Sequence, residues 1–125
     1  MPKLEAFEQY ELDERNKFAK MYTERLKGVV KTPFVPEGYV SSWAQYTLIL
    51  ENEEQRNTIQ MGIPTMVYYP IPLHKQIVYK DYNFNVEDLK VAEKLSKCVL
   101  SLPMHPYMNE EQIEQISKAI IEIIK

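Results

Sequence analysis

Prolines and glycines constrain this sequence most, because they divide its 125 residues into short segments. Gly28 fits the position just past the end of a helix, where glycine is favoured. Pro33 and Pro36 exclude helix from the connector that follows, since proline lacks an amide hydrogen and clashes with the preceding turn. Further breaks fall at Gly62, Pro70, Pro72, Pro103 and Pro106. The chain is therefore expected to form one small domain of short elements around a core.

Four segments have helical character. Residues 4–27 predict one long amphipathic helix, since apolar residues recur mostly at steps of three to five and charged residues occupy the opposite face. Three asparagines precede the other segments and suit the capping position, where a side-chain oxygen accepts hydrogen bonds from free amides. They are Asn52, Asn85 and Asn109, and the helices expected after them reach about Met61, cover 86–97 and cover 110–124.

Three segments rich in β-branched, aromatic or other apolar residues predict strands, at 39–50, 65–69 and 98–102. Residues 70–84 contain two prolines and then several apolar residues, which indicates a long irregular loop that contacts other parts of the molecule. The resulting fold class is α/β (α+β), with a small three-stranded sheet and helices packed on it.

Composition argues against several classes of function. The net charge is −3 and no basic run is present, which is not the pattern of a nucleic-acid-binding protein. Two histidines and the single Cys98 are too few and too far apart for a typical metal site. The lone cysteine indicates a reducing compartment, and the longest apolar runs are far shorter than a membrane span. We expect a soluble, cytoplasmic protein without a membrane partner.

Catalytic patterns are weak across the chain. Cys98 lies in an apolar segment, where a thiol is usually inert. The three glycines are too dispersed for a phosphate-binding loop. Acidic pairs stand at the predicted helix starts, where carboxylates have an ordinary electrostatic role. We therefore assign no catalytic, metal-binding or cofactor-binding residue.

The densest polar and aromatic cluster is TMVYYPIPLHKQ, residues 65–76. In a strand, Tyr68 and Tyr69 would point to opposite faces, so that one packs while the other lines a cleft. Pro70 and Pro72 would stiffen the following turn and fix the place of His74. The cluster is also compatible with a proline-stabilised surface loop, and the residues alone favour that plainer interpretation.

Four segments carry a resemblance to a known family. ERNKFAKMYTERL, VPEGYVSSWAQYTL, GIPTMVYYPIPLHKQ and LSLPMHPYMNEEQIEQISKAI, in this order, resemble the DegT/StrS-type nucleotide-sugar aminotransferases over nearly the whole chain. The GIPTMVYYPIPLHKQ segment is the most specific of them. The resemblance implies that residues 1–125 are a single unit, the C-terminal small domain of an aminotransferase of the aspartate-aminotransferase fold type.

The resemblance also implies a function. The parent enzyme would use pyridoxal phosphate (PLP) to move an amino group, with glutamate as donor, to a keto-sugar nucleotide for polysaccharide or lipopolysaccharide synthesis. Tyr68, Tyr69 and His74 would line the substrate cleft. The large domain that holds PLP is absent from this sequence, so neither PLP binding nor activity is expected of the chain alone.

Two expectations about partners follow. A missing large domain would leave an exposed apolar surface, and that surface would favour homo-oligomers of the isolated chain. The alternative is a stand-alone, non-catalytic module that binds a sugar nucleotide or a protein, and it predicts a polar surface at the same place.

Overall fold

The computed structural model describes residues 2–125, and its first element is one continuous helix. This helix consists of α1 (Pro2–Ala6), a π-helical turn (Phe7–Glu11) and α2 (Leu12–Leu26). It ends before Gly28, whose φ of +81° suits glycine and few other residues. The predicted long helix is confirmed, whereas the π-helical turn had no signal in the apolar pattern.

Three further helices follow, namely α3 (Glu53–Gly62), α4 (Lys90–Cys98) and α5 (Glu110–Ile124). Asn52 Oδ1 accepts a hydrogen bond from the amide of Gln55 at 2.8 Å and caps α3. Asn109 caps α5 in the same way, and α5 begins with a complete capping box. Residues 86–97 were predicted as one helix, but a 3-10 turn (Val86–Leu89) occupies the beginning of that segment. Two more 3-10 turns, Leu73–Lys75 and Ile77–Tyr79, lie in the predicted loop.

The sheet has two antiparallel strands, β1 (Tyr46–Ile49) and β2 (Val99–Leu102). Tyr46 pairs with Leu102 and Ile49 pairs with Val99. The prediction of three strands is therefore wrong in its count, although the mixed helix-and-sheet class is correct. Single bridges extend the sheet on both sides, from Lys31 to Ile49 and from Met66 to Ser101.

The segment 65–69 forms one bridge in place of a strand. Met66 exchanges two backbone hydrogen bonds with Ser101, at 3.0 and 2.7 Å. Pro64 and Pro70 flank the segment and have no amide hydrogen to donate, which limits how far a ladder can extend. The peptide bond between Tyr68 and Tyr69 is cis.

The first predicted strand, 39–50, is shorter in the structure because residues 41–43 accept hydrogen bonds from side chains of α2. Asn16 Nδ2 donates to the carbonyl of Ser41 at 3.3 Å, and Arg15 Nη1 donates to the carbonyl of Trp43 at 2.9 Å. Trp43 has a φ of +47°, in the left-handed region, which is incompatible with a regular strand. These contacts hold the segment against the helix until β1 begins at Tyr46.

One apolar core joins α2, α3, α5 and the sheet. Its members are Phe18, Ala19, Tyr22, Leu26, Tyr46, Leu48, Leu50, Ile59, Ile63, Leu100, Leu102, Met108, Ile113 and Ile120. The rings of Tyr22 and Tyr46 pack with centroids 5.1 Å apart. Within residues 2–125, no helix combines the length and the apolar character needed to cross a bilayer.

Candidate functional site

A cleft of about 600 Å³ lies between the segment 68–76 and α4. One wall comes from that segment and the other from α4 and the first residue of β2. The lining residues are Tyr68, Tyr69, Ile71, Pro72, Leu73, Gln76, Ala92, Leu95, Ser96 and Val99. Most of these side chains are apolar, with two phenol hydroxyls, one amide and one serine hydroxyl among them. This balance is typical of small-molecule sites, in which a few polar groups orient a ligand against apolar walls.

Tyr68 and Tyr69 both line this cleft. Their ring centroids are 6.2 Å apart and the ring planes are inclined by 76°, an edge-to-face arrangement. The expectation that they point to opposite faces is wrong, because the segment leaves the sheet after Met66 and strand alternation does not apply. Tyr69 is the more exposed of the two, at 74 % against 39 % for Tyr68.

His74 does not line the cleft but faces α4. Its Nε2 lies 3.0 Å from Oε1 of Glu93, and its side chain is only 10 % exposed. The ring also meets Phe84 edge-on, with centroids 5.2 Å apart. The structure thus brings Tyr68 and Tyr69 together at the cleft. It turns His74 away from the cleft lining and toward Glu93 of α4. A substrate-binding role for these three residues stays a prediction.

Glu93 is a residue that the sequence did not single out. Its second carboxylate oxygen lies 2.7 Å from Nζ of Lys75. The hydrogen bond from Lys75, followed by the contact with His74, lowers the pKa of Glu93 below its ordinary value. Glu93 is 19 residues from His74 in the chain, a separation that no local pattern connects. In the helix predicted over 86–97, Glu93 is an interior residue, so nothing in the sequence distinguished it from the other charged residues of that segment.

A second polar cluster surrounds Glu11 at the end of the π-helical turn. Lys3 Nζ and the Tyr107 hydroxyl both donate to Glu11 Oε1, the latter at 2.5 Å, and the Tyr10 hydroxyl lies 3.1 Å from that of Tyr107. The Lys3 and Tyr107 hydrogen bonds lower the pKa of Glu11. The contact with Glu11 in turn raises the pKa of Tyr107. The cluster joins the beginning of the long helix to the turn before α5.

The described residues do not fit a PLP attachment site. A Schiff-base lysine needs a pocket that lowers its pKa and excludes water. Every lysine between residues 2 and 125 is exposed, and none lines the cleft beside Tyr68 and Tyr69. The same part of the chain contains no group of three or more His, Cys, Asp or Glu placed to hold a metal ion.

Comparison with known proteins decides the family. The family model of the DegT/DnrJ/EryC1/StrS aminotransferases matches residues 1–121. The chain belongs to this family. The resemblance seen in the sequence is therefore confirmed.

Individual family members show the same relationship. The UDP-2-acetamido-2-deoxy-3-oxo-D-glucuronate aminotransferase of Pseudomonas aeruginosa is 42 % identical over 123 residues, which are 96 % of this chain and 33 % of that protein. The UDP-N-acetyl-3-dehydro-alpha-D-glucosamine 3-aminotransferase of Acidithiobacillus ferrooxidans is 37 % identical over 111 residues, 86 % of this chain and 30 % of that protein. The chain spans about a third of the length of these relatives.

Solved structures of family members share the fold. An aminotransferase from Brucella abortus superposes with a TM-score of 0.78 at 41 % identity, covering 88 % of this chain and 30 % of that one. DesV of S. venezuelae, solved in complex with a ketimine intermediate, superposes with a TM-score of 0.82 at 25 % identity, covering 92 % and 32 %. The match again involves about a third of each longer chain.

Proposed function

We propose that this chain forms the small domain of a PLP-dependent aminotransferase that acts on a keto-sugar nucleotide in the cytoplasm. The amino donor would be glutamate, and the product would serve polysaccharide or lipopolysaccharide synthesis. When bound, PLP supplies the electron sink for amino transfer. In this proposal the residues of the chain orient the sugar nucleotide, and the remaining two thirds of the enzyme hold the cofactor.

The cleft beside Tyr68 and Tyr69 is the observation that carries the proposal. Its phenol hydroxyls can donate to sugar hydroxyl, acetamido or phosphate oxygens, while its apolar walls offer contact area to the rest of the ligand. The relatives at 42 % and 37 % identity are both named for UDP-linked acetamido sugars with an oxidised C3 position. A substrate of this chemical class is therefore the one we propose.

The exposed apolar residues also support the proposal, and four of them, Tyr68, Tyr69, Ile71 and Leu73, line the cleft as well. More than half of the exposed large hydrophobic residues in the described part of the chain lie between residues 66 and 91. They are Met66, Tyr68, Tyr69, Ile71, Leu73, Ile77, Val78, Tyr82, Phe84, Val86 and Val91. We name this set the 66–91 surface. Such a concentration is typical of a face that another body of protein covers, and we propose that the rest of the enzyme covers it.

A chimeric enzyme tests the function. The third of the Pseudomonas aeruginosa relative that aligns with this chain is replaced by residues 1–125, and amino transfer to the oxidised UDP-sugar named for that relative is measured with glutamate. We expect a folded, active chimera. Tyr69→Ala should raise the KM for the sugar nucleotide roughly tenfold, since it removes a large contact from the cleft.

Tyr39→Ala is the matched control, because Tyr39 is as exposed as Tyr69, at 74 %, but lies outside both the cleft and the 66–91 surface. A folded chimera that binds PLP but transfers no amino group would count against the proposed substrate. The alternative, a stand-alone module that binds a sugar nucleotide without catalysis, predicts a different result. The isolated chain would then bind the sugar nucleotide with full affinity, and joining it to the rest of the enzyme would not increase that affinity.

A further inference from the structure

We propose that Glu93 is a positioning residue, which fixes one wall of the cleft by holding the turn Leu73–Lys75 against α4. The role of Glu93 in positioning this wall is argued from contacts within the chain alone. The identity of the ligand, a sugar nucleotide, rests on the proposed function. His74 then acts through Glu93 and not by touching the ligand.

In the part of the chain that the structure describes, the side-chain hydrogen bonds and ion pairs between the two walls of the cleft all involve Glu93. Leu73 and Gln76 come from a segment without a regular strand or α-helix, and Ala92, Leu95 and Ser96 come from α4. His74 and Glu93, which join the two walls, are direct neighbours of lining residues in the chain: His74 follows Leu73, and Glu93 follows Ala92. A change in the joining contacts therefore changes the distance between the lining residues directly.

The aliphatic side chains of the segment do little to hold it in place. Ile71 is 54 % exposed and Leu73 is 65 % exposed, so their side chains are not anchored in the core. The backbone hydrogen bonds of the turn are local, from the Lys75 amide to Pro72 and from the Gln76 amide to Leu73. Local bonds define the shape of a turn but not its position relative to a helix. Segments with few buried contacts open at low cost in free energy.

One carboxylate supplies the missing connection. Oε1 of Glu93 meets Nε2 of His74 at 3.0 Å, and Oε2 meets Nζ of Lys75 at 2.7 Å. Two successive residues of the turn are thus held by both oxygens of a single side chain on α4. Bonds to a charged group are stronger than neutral ones, and two of them define an orientation as well as a distance.

Phe84 also contacts the imidazole ring. His74 meets the carboxylate of Glu93 through Nε2 and the ring of Phe84 edge-on. Its side chain is largely buried there, and its Nε2 is already engaged. Both features favour a supporting role over ligand contact. We refer to His74, Lys75 and Glu93 as the clamp.

Amide exchange measured by NMR on the whole chain tests the clamp without any ligand. Glu93→Ala should speed exchange of the Lys75 and Gln76 amides roughly threefold to tenfold, as expected for a partly exposed charged contact. Glu93→Gln keeps an acceptor for His74 but loses the charge that attracts Lys75, so it should restore part of the protection. Glu87→Gln is the control, because it removes an ion pair with Lys90 that does not involve the turn.

The imidazole gives a signature that a merely structural role for Glu93 would not produce. With the clamp intact, the Nε2 proton of His74 should give an observable, downfield-shifted resonance in the ¹⁵N-correlated spectrum, because the carboxylate of Glu93 holds it. Glu93→Ala should lose that resonance to rapid exchange with water, while the thermal midpoint stays near that of the Glu87→Gln control. Unchanged exchange and an unchanged His74 spectrum in Glu93→Ala would overturn the proposal. If that variant does not fold, the same two readouts in Glu93→Gln decide.

A titration with UDP-N-acetylglucosamine separates the clamp from the proposed function. If the chain binds this probe, Glu93→Ala should weaken binding severalfold and Glu87→Gln should not; equal weakening by both would overturn the link between clamp and cleft. If the unmodified chain alone does not bind the probe, as the proposed function allows because the rest of the enzyme completes the cleft, the same titration in the chimeric enzyme decides the link between clamp and cleft. The exchange and ¹⁵N results judge the clamp independently.

Discussion

At the scale of single residues, Glu11 carries the clearest dependence of stability on pH. Its pKa is lowered in the folded chain by Lys3 and then by Tyr107, from an ordinary value of 4.5. A lowered pKa means that the carboxylate stabilises the fold above that value, and that this contribution disappears as the pH falls through the folded-state pKa. Glu11→Gln should therefore be less stable than the unmodified chain at pH 7, and the difference should shrink below about pH 4.5.

Urea unfolding at several pH values measures this difference. Glu8→Gln is a suitable control, since Glu8 is exposed about one turn away on the same helix. A stability difference between Glu11→Gln and the unmodified chain that stayed constant from neutral to acid pH would contradict the assignment.

Tyr22 shows the value of a buried hydroxyl. Its ring lies in the core without exposure, its hydroxyl donates to the carbonyl of Pro103 at 3.0 Å, and burial raises its pKa. Tyr22→Phe leaves that carbonyl without its partner and should cost about 1 kcal/mol of unfolding free energy. Tyr82→Phe, at an exposed ring, should cost nothing measurable. Equal losses in the two variants, measured by urea unfolding, would show that the hydroxyl of Tyr22 has no special role.

At the scale of elements, the capping box of α5 is the most local device in the fold. Asn109 Oδ1 accepts from the Gln112 amide at 2.8 Å, and Gln112 Oε1 accepts from the Asn109 amide at 3.0 Å. Asn109→Ala should lower the unfolding free energy by about 1 kcal/mol. Asn109→Asp keeps an acceptor and should retain most of the stability, and a thermal midpoint as low as that of Asn109→Ala would argue against the cap.

The same locality explains which elements could be predicted. Helix starts at Asn52 and Asn109 depend on residues three positions away, and the structure confirms both. Strand pairing depends on distant residues, so the segment 65–69 could satisfy every local criterion for a strand and still form one bridge to Ser101. The beginning of 39–50 likewise bonds to Arg15 and Asn16 on α2, contacts that the sequence does not reveal.

The candidate site shows the same difference between features that depend on neighbouring residues and features that depend on distant ones. The sequence pointed to Tyr68 and Tyr69, which do lie at the cleft, because aromatic residues between prolines are conspicuous in a short segment. It did not reveal that His74 turns toward Glu93, because that contact depends on how α4 packs beside the turn. Glu93 itself lay inside the helix predicted over 86–97, among other charged residues.

At the scale of the whole molecule, the 66–91 surface governs how the isolated chain behaves. Exposed apolar side chains at this density favour association, which buries them against a second copy when no other protein covers them. We expect light scattering to detect dimers or larger species as the concentration rises. Ile77→Lys, at a residue 82 % exposed, should reduce that association without unfolding the chain. A clean monomer at high concentration would contradict this expectation.

Our central proposal is that this chain supplies the cleft side of an aminotransferase, and that the cofactor lysine lies in the remaining two thirds of the enzyme. Borohydride reduction of the purified chain mixed with PLP, followed by peptide mapping, distinguishes the two possibilities. We predict scattered, substoichiometric labelling, since every lysine in residues 2–125 is exposed and none lies in the cleft. Stoichiometric reduction onto one lysine, with the absorbance of an internal Schiff base beforehand, would show that the chain holds the cofactor and would contradict this proposal.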